Sequence, residues 1–388
     1  MIELPQYFFF LFSISFSFCH FKPILAEEIV QDETFFPLGI YWVQNSSEIL
    51  SAQAKGFNTV LFGYDLPKAF DLPIQDMLTT CDSHNIRVIF ELSYFLRQNV
   101  PQNITQFLPS LIKHPSIYAW YLIDEPYNYI TENEILNLSS IIRQYDDRST
   151  FVQFSTQFSN NPELYDDLPG NISYLSVDPY PQMPSRNHSM VDSWLNNLET
   201  FNENLSNIWV VLNAQERTDH YVMPKFDEFM IDATTAIQHG VKGIHWFTFS
   251  DYDAPYYGVS MNSQGWEDIG LVLEKIKPVT NILLSHTSHR PTTTVNNVSS
   301  SIFENKTHFL IASTNQNYYW NGNTTIWNGC SRQITLSNNQ VINVDLSGPY
   351  DLKILKKENS SPEISFIPPY SILGLFIILS FFFRSKKP

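Results

Sequence analysis

A (β/α)8 barrel carrying a small C-terminal all-β domain is the fold this chain predicts, on three observations. Strand-length apolar runs alternate with helical segments eight times between residues 35 and 285, at roughly 30 residues per unit, the length of a βαβ repeat. Several of the runs are continuously apolar rather than alternating, as strands buried on both faces of a parallel sheet are. Beyond residue 292 the pattern changes to short strands separated by Asn and Gly turns. A doubly wound open sheet rarely reaches eight units and would carry a glycine-rich phosphate loop, but neither GxGxxG nor GxxxxGK followed by Ser or Thr occurs.

The units follow in order. Residues 35–42 read as the first strand, and Asn45 with Glu48 opens a helix that runs to Lys55 and closes on Gly56. Residues 57–64 and 86–94 are the second and third strands, with a helix over 74–84 between them and an irregular helical stretch over 103–113 after. The fourth strand, 117–123, stops at Asp124-Glu125-Pro126, since proline cannot donate to a sheet ladder. Its helix, 132–145, has a capping box of its own in Thr131 and Glu134, so the two acids are not needed as caps. Strands over 150–155, 172–177, 208–213 and 241–249 complete the barrel, with helices over 162–167, 190–202, 226–239 and 266–284. Residues 35–285 are therefore assigned to the barrel, 292–301 to a Thr- and Ser-rich linker, and 302–356 to the β-domain.

Both ends read as targeting segments. Residues 1–26 have the apolar stretch and small terminal residue of a signal peptide, without a basic start. Residues 357–363 form a polar stalk, 364–383 reach the roughly 20 residues needed to span a bilayer, and 384–388 are basic as a cytoplasmic tail is. A glycolipid anchor attached near Asn359-Ser360-Ser361 is the alternative. Sequons at Asn45, Asn103, Asn137, Asn171, Asn187, Asn204, Asn297, Asn305, Asn323 and Asn359 place the intervening protein in the secretory pathway, extracellular or lumenal. Of the 3 cysteines, Cys19 lies in the signal, Cys81 reads as a buried thiol, and no disulfide scaffold is expected. A net charge of −16 argues against nucleic acid, whose phosphates require clustered Lys and Arg.

The chemistry gathers at the strand ends that form the barrel mouth, where ligands of this fold bind. Strand one ends in Trp42, strand two in Asp65, strand three carries Glu91, and strand four ends in Asp124 and Glu125. Strand six ends in Asp178 and Tyr180, strand seven in Asn213 with Glu216 three residues on, and strand eight carries Trp246 with Asp251 beyond it. Aromatic faces pack on sugar rings and carboxylates accept their hydroxyl protons. A pair of such acids can run glycoside hydrolysis, one protonating the leaving oxygen. The aromatics serve barrel filling equally well, and Tyr118, Trp120 and Trp209 are assigned to it. No HExxH or His-x-His pair and no GxSxG elbow occurs, so no metal or cofactor is expected, and His245 reads as a packed strand residue.

Trp120-Tyr121-Leu122-Ile123-Asp124-Glu125-Pro126, with Gly56-Phe57-Asn58-Thr59-Val60, His114-Pro115-Ser116-Ile117 and Gly240-Val241-Lys242-Gly243-Ile244 in support, resembles the clan A glycoside hydrolases. The resemblance covers roughly residues 35–285. It implies Glu125 as the general acid/base and Asp124 as a contact for the sugar 2-hydroxyl. The family nucleophile ending strand seven would fall on Asn213, a departure from the pattern. The second carboxylate is then Glu216, Asp178 or Asp251, with Trp42, Asp65, Glu91, Tyr180, Asn213 and Trp246 as further sugar contacts. A barrel lacking that carboxylate would be a carbohydrate-binding or surface-interaction protein.

Removal of residues 362–388 is expected to release a soluble glycoprotein with an intact barrel. Phospholipase release of the full-length protein would indicate the lipid anchor instead. Tight membrane retention of the truncated chain would overturn both.

Overall fold

A computed structural model describes residues 34–62, 72–126, 130–155, 165–181, 187–201, 207–217, 221–250, 256–320 and 325–357. Eight parallel strands close into a barrel: β1 (Leu38–Tyr41), β2 (Thr59–Phe62), β3 (Arg87–Glu91), β4 (Ile117–Asp124), β5 (Ser149–Phe154), β6 (Tyr174–Val177), β7 (Ile208–Asn213) and β8 (Gly243–Phe247). Each pairs with its chain neighbour, and β8 returns to β1 through Gly39 opposite His245. The helices between them include α1 (Ser46–Lys55), α2 (Leu72–His84), α3 (Glu132–Arg143), α4 (Ser189–Phe201), α5 (Phe226–Gln238) and α6 (Ser263–Ser285). The expected helical stretch after β3 is a five-residue helix, Ser93–Arg97, followed by the 3-10 turn Pro101–Gln106 and the single turn Leu108–Leu111. Among the described residues no helix is long and apolar enough to cross a membrane. The segments 1–26 and 364–383 lie outside the described residues.

Local chemistry sets the helix ends. The Asn45 side chain accepts from the backbone N–H of Glu48, and Gly56 closes α1 at φ 121°, where a Cβ would be strained. Thr131 and Glu134 form the reciprocal capping box of α3, leaving Asp124 and Glu125 free of that duty. Cys81 is buried in α2 and free, and Cys330 is free as well.

Inside the barrel, side chains interdigitate in layers. Tyr41, Leu61, Ile89, Ala119, Tyr121, Phe151, Tyr174, Trp209 and Val211 form one contiguous interior cluster. Trp209 stacks on Tyr174 at 4.0 Å between ring centroids. His245 stands 4.9 Å from Trp209, and a methyl group at Gly39 would overlap its ring, so the glycine in β1 makes the space that the imidazole fills. Trp120 and Trp246 face outward into the larger core between strands and helices.

The second unit begins earlier than the sequence suggests. Residues 292–301 are not a linker: they lie in a hairpin of β9 (Ser288–Val295) and β10 (Val298–Glu304), turned at Asn296 and Asn297, both with φ above 50°. Two asparagines in the left-handed region make a two-residue turn that matches strand twist; Thr292, Thr293 and Thr294 are strand formers on an exposed edge, and Ser299, Ser300 and Ser301 are buried in the strand beside it. Strands β11 (His308–Asn315) and β14 (Tyr350–Lys356) complete this four-stranded sheet, and β12 (Cys330–Thr335) pairs with β13 (Val341–Leu346). The buried Gln238 at the end of α5 ties the sheet to the barrel, donating to the carbonyls of Ser299 and Ala312 and accepting from the Thr314 hydroxyl.

His245 is fully buried with neither ring nitrogen hydrogen-bonded, and burial lowers its pKa to about 3. The unfolded chain takes up a proton near pH 6.5 that the folded barrel refuses, so stability falls as pH drops below that value. Urea unfolding of wild type and His245→Leu is expected to show about 3 kcal/mol more loss between pH 7 and pH 4 in wild type. Parallel pH profiles would show that the imidazole does not drive the loss.

Candidate active site

The mouth is built by the ends of β1, β3, β4, β6 and β8. Strand β4 slips register against β5 between Tyr121 and Ile123. That bulge resets the in–out alternation, so Leu122 and Ile123 both face the helices while Tyr121 and Asp124, three residues apart, both face the barrel interior. The Tyr121 phenol donates to Asp124 Oδ1 at 2.5 Å, and the Asp124 backbone N–H donates to the Ser93 hydroxyl at 2.9 Å. Arg97 donates to the Asp124 carbonyl at 2.7 Å and lies 3.7 Å from its Oδ2. Asp124 is thus fixed from three sides.

Glu125 follows at φ 45°, and Trp42, at the end of β1, takes φ 56°. Left-handed backbone costs a bulky residue about 1–3 kcal/mol and gathers at sites where geometry is imposed by function. The Glu125 backbone N–H still donates to the Gln153 carbonyl of β5, which orients the turn. From β6 comes Asp178, only 4% exposed. Its carboxyl group is hydrogen-bonded to that of Glu125. Glu91, also buried, ends β3 nearby and contributes charge to the same cluster. Tyr41 completes the floor, donating to Gln153 Oε1 at 2.5 Å.

Electrostatics follow from this crowding. Burial first, then the Glu125 charge, pushes the Asp124 carboxyl up to about 6, against the Tyr121 hydrogen bond and the Arg97 charge. A third of the Asp124 side chain is open to solvent through the mouth, although the group sits deep in the surrounding protein. Asp178 is raised well above the ordinary carboxylate range by burial, by the Glu125 charge, by their hydrogen bond and by Asp124. Tyr41, Tyr121 and Tyr180 are raised as well, chiefly by burial, and remain neutral donors.

Aromatic rings form the facing wall. Phe247 lies 4.9 Å from Trp42 in an edge contact and 6.2 Å from Tyr180 in a stacked one. Tyr221 stands edge-on to Tyr180 at 5.7 Å. Trp42, Tyr180, Phe247 and Tyr221 are all partly exposed.

The structure therefore brings Trp42, Glu91, Asp124, Glu125, Asp178 and Tyr180 together. It does not bring Trp246, which is fully buried on the outer side of β8, edge-on to Phe57 at 5.9 Å. Strand alternation explains the correction: His245 and Phe247 face inward, so the tryptophan between them cannot. Asn213 is 1% exposed, and its amide is committed to the backbone of Gln215, donating to the carbonyl and accepting from the N–H. Glu216 lies in the short strand Gln215–Arg217, opposite Tyr257 of an antiparallel partner, and is not among the charges acting most strongly on Asp124 or Asp178. Asp65 and Asp251 lie outside the described residues. Sequence reasoning missed Tyr121, Arg97 and Gln153 as supports for the acids. Only the inward phase of Tyr121 was available as a signal, and the bulge hides it.

No family model matches the chain, and no curated protein matches it in sequence. Solved structures match it in fold. A β-galactosidase from the psychrophilic Marinomonas ef1 aligns with TM-score 0.53 and 9% identity over 64% of this chain and 62% of its own. A GH42 β-galactosidase from G. stearothermophilus aligns with TM-score 0.51 and 8% identity over 65% and 58%. A γ-CGTase from an alkalophilic Bacillus clarkii aligns with TM-score 0.54 and 9% identity over 83% and 70%. The chain spans about three fifths of the length of the two β-galactosidases. At these identities the likeness shows the fold alone, an eight-stranded (β/α)8 barrel.

An acid held protonated in the fold but ionised in the unfolded chain destabilises the protein as pH rises above its ordinary pKa. Asp178→Asn is therefore expected to raise stability at pH 7 by about 1–3 kcal/mol, with the gain vanishing near pH 4. Denaturant titration at the two pH values checks this. A destabilised variant at pH 7 would show that the acid pair is a structural bond.

Proposed function

We propose that this protein is a glycoside hydrolase of the secretory pathway, anchored to a membrane by its C-terminal segment, that cleaves an O-glycosidic bond in a carbohydrate or glycoconjugate. The observation that carries the reading is the Glu125–Asp178 carboxyl pair beside Asp124, set opposite the aromatic wall of Trp42, Phe247 and Tyr180. Burial and the neighbouring Glu125 charge raise Asp178 well above the ordinary carboxylate range, so a proton is held at the pair. Glu125, at the more exposed position, delivers that proton to the leaving oxygen as the glycosidic bond breaks. Asp124, held by Tyr121 and Arg97, accepts a sugar hydroxyl and supports positive charge developing at the anomeric carbon. The aromatic rings pack on the apolar face of the sugar.

Carbohydrate binding without turnover is the second reading. Asn213 at the end of β7 favours it, because an amide committed to the backbone of Gln215 supplies no carboxylate there.

Glu125→Gln is expected to lower hydrolysis of a panel of aryl glycosides by roughly 10²–10⁴-fold while leaving sugar binding largely intact. Equal activity in both proteins removes Glu125 from the mechanism. No activity in either, with retained glycan binding, selects the binding reading.

The described sequon asparagines support the secretory assignment. Asn45, Asn103, Asn137, Asn171, Asn187 and Asn297 are exposed and Asn305 is partly so. Enzymatic removal of N-glycans is expected to lower the mass of protein expressed in a secretory host. An unchanged mass together with retention in the cytosol would overturn the assignment.

A further inference from the structure

Charge and shape also converge at the exposed edge of the β-domain. Strand β9 is the outer strand of its sheet, and its pairing with β10 slips between Arg290 and Thr293, so Pro291 and Thr292 together stand opposite Ser301. A bulge at an edge, beside a proline that has no N–H to give the ladder, re-aims the side chains around it. Residues directly opposite one another share a face. Arg290 opposite Ile302 and Thr293 opposite Ser300 therefore both face the β12–β13 hairpin, which packs on Ile302 through Ile334 and Val344.

From the hairpin, Arg332 reaches back across the gap. Its Nη1 donates to the carbonyls of Thr293 and Val298, and its Nη2 donates to the Thr293 hydroxyl at 3.1 Å. Arg290 Nη1 donates the other way, to the Thr335 carbonyl at 2.8 Å. These bonds clasp the two layers and leave both charges uncompensated. Neither guanidinium has an ion-pair partner among the described residues, in a chain of net charge −16. The buried Nε–H of Arg332 has no acceptor among them either, and burial lowers the pKa of the group. The two arginines wall a pocket of about 280 Å³ whose apolar side is Pro291, Ile302 and Ile334. Among the described residues, neither a carboxylate nor an aromatic ring lines it.

We propose that this pocket binds one acidic sugar unit of a glycan, a uronate or a sugar sulfate ester, with residues that are all distinct from those of the barrel mouth. The oxyanion lies between the Arg290 and Arg332 guanidiniums and supplies their missing counter-charge. The apolar face of the ring rests on Pro291, Ile302 and Ile334, and its hydroxyls meet the polar rim at Thr293 and Gln333. A neutral sugar would leave the guanidiniums unpaired, and a bare inorganic anion would leave the apolar wall uncovered. The pocket is small for a ligand site, which suits a single ring.

The test is titration calorimetry of the full-length glycoprotein with four probes. They are a methyl glucuronide, a methyl glucoside sulfated at its primary hydroxyl, the uncharged methyl glucoside, and inorganic sulfate. At least one acidic sugar is expected to bind about 10-fold or more tightly than the neutral sugar and inorganic sulfate. Which of the two binds identifies the oxyanion as carboxylate or sulfate ester. Arg290→Gln removes a charge but keeps a donor for the Thr335 carbonyl. Gln333→Glu sets a carboxylate at the exposed rim and touches neither clasp, so it reports on the pocket even where Arg290→Gln loosens the edge. Each variant is expected to weaken the acidic sugar by about 10-fold or more, with thermal unfolding of Gln333→Glu unchanged. Acidic-sugar binding that survives both variants belongs elsewhere on the protein and overturns the inference. Equal binding of acidic and neutral sugars, sulfate binding as tight as that of the acidic sugars, or no binding of any probe overturns it as well.

Discussion

The hydrogen bond between the Glu125 and Asp178 carboxyl groups is the interaction around which the mouth is arranged. Two acids approach that closely only when they share a proton, and they share one only where water is scarce. Strand β5 lies between their strands in the sheet, so the contact depends on the curvature of a closed barrel, which turns β4 and β6 toward a common axis. Burial raises the Asp178 carboxyl, the third acid Asp124 raises it further, and the phenols of Tyr41, Tyr121 and Tyr180 line the space as neutral donors. Such a cluster works against stability at neutral pH, and it stands where the fold is otherwise best braced.

The bracing is visible one layer below. Trp209, Tyr174, Phe151 and His245 fill the barrel at ring separations down to 4.0 Å, and Gly39 yields the space for the imidazole. A floor packed this tightly transmits little movement to the strand ends above it. The left-handed residues Trp42 and Glu125 are held on that rigid rim, where neighbouring backbone bonds to Leu61 and Gln153 fix the turns. Strain, buried charge and partly exposed aromatics therefore coincide at one end of the molecule. The β-domain meets the barrel elsewhere, along α5, through the satisfied polar contacts of Gln238.

What the sequence by itself determined is the part of the protein governed by local rules. The eight-unit rhythm, the capping box at Thr131 and the strand-ending Asp124-Glu125-Pro126 follow from periodicity, caps and proline chemistry, each acting over a few residues. Parallel strands then carry their C-terminal ends to one side, which placed Glu91, Glu125 and Asp178 at a common mouth. Tertiary structure decided the rest. The bulge at Leu122 and Ile123 sets which way Asp124 points, and it exists only in the register between β4 and β5. The outward face of Trp246 and the inward face of Phe247 differ by one residue, a phase that composition does not reveal. The hairpin at Asn296 and Asn297 forms from residues whose composition resembles a linker, because pairing with β11 makes the second strand worth forming. The contact between Glu125 and Asp178 joins residues 53 positions apart across an intervening strand. Its distance is a property of barrel curvature, and no local pattern in the chain encodes curvature.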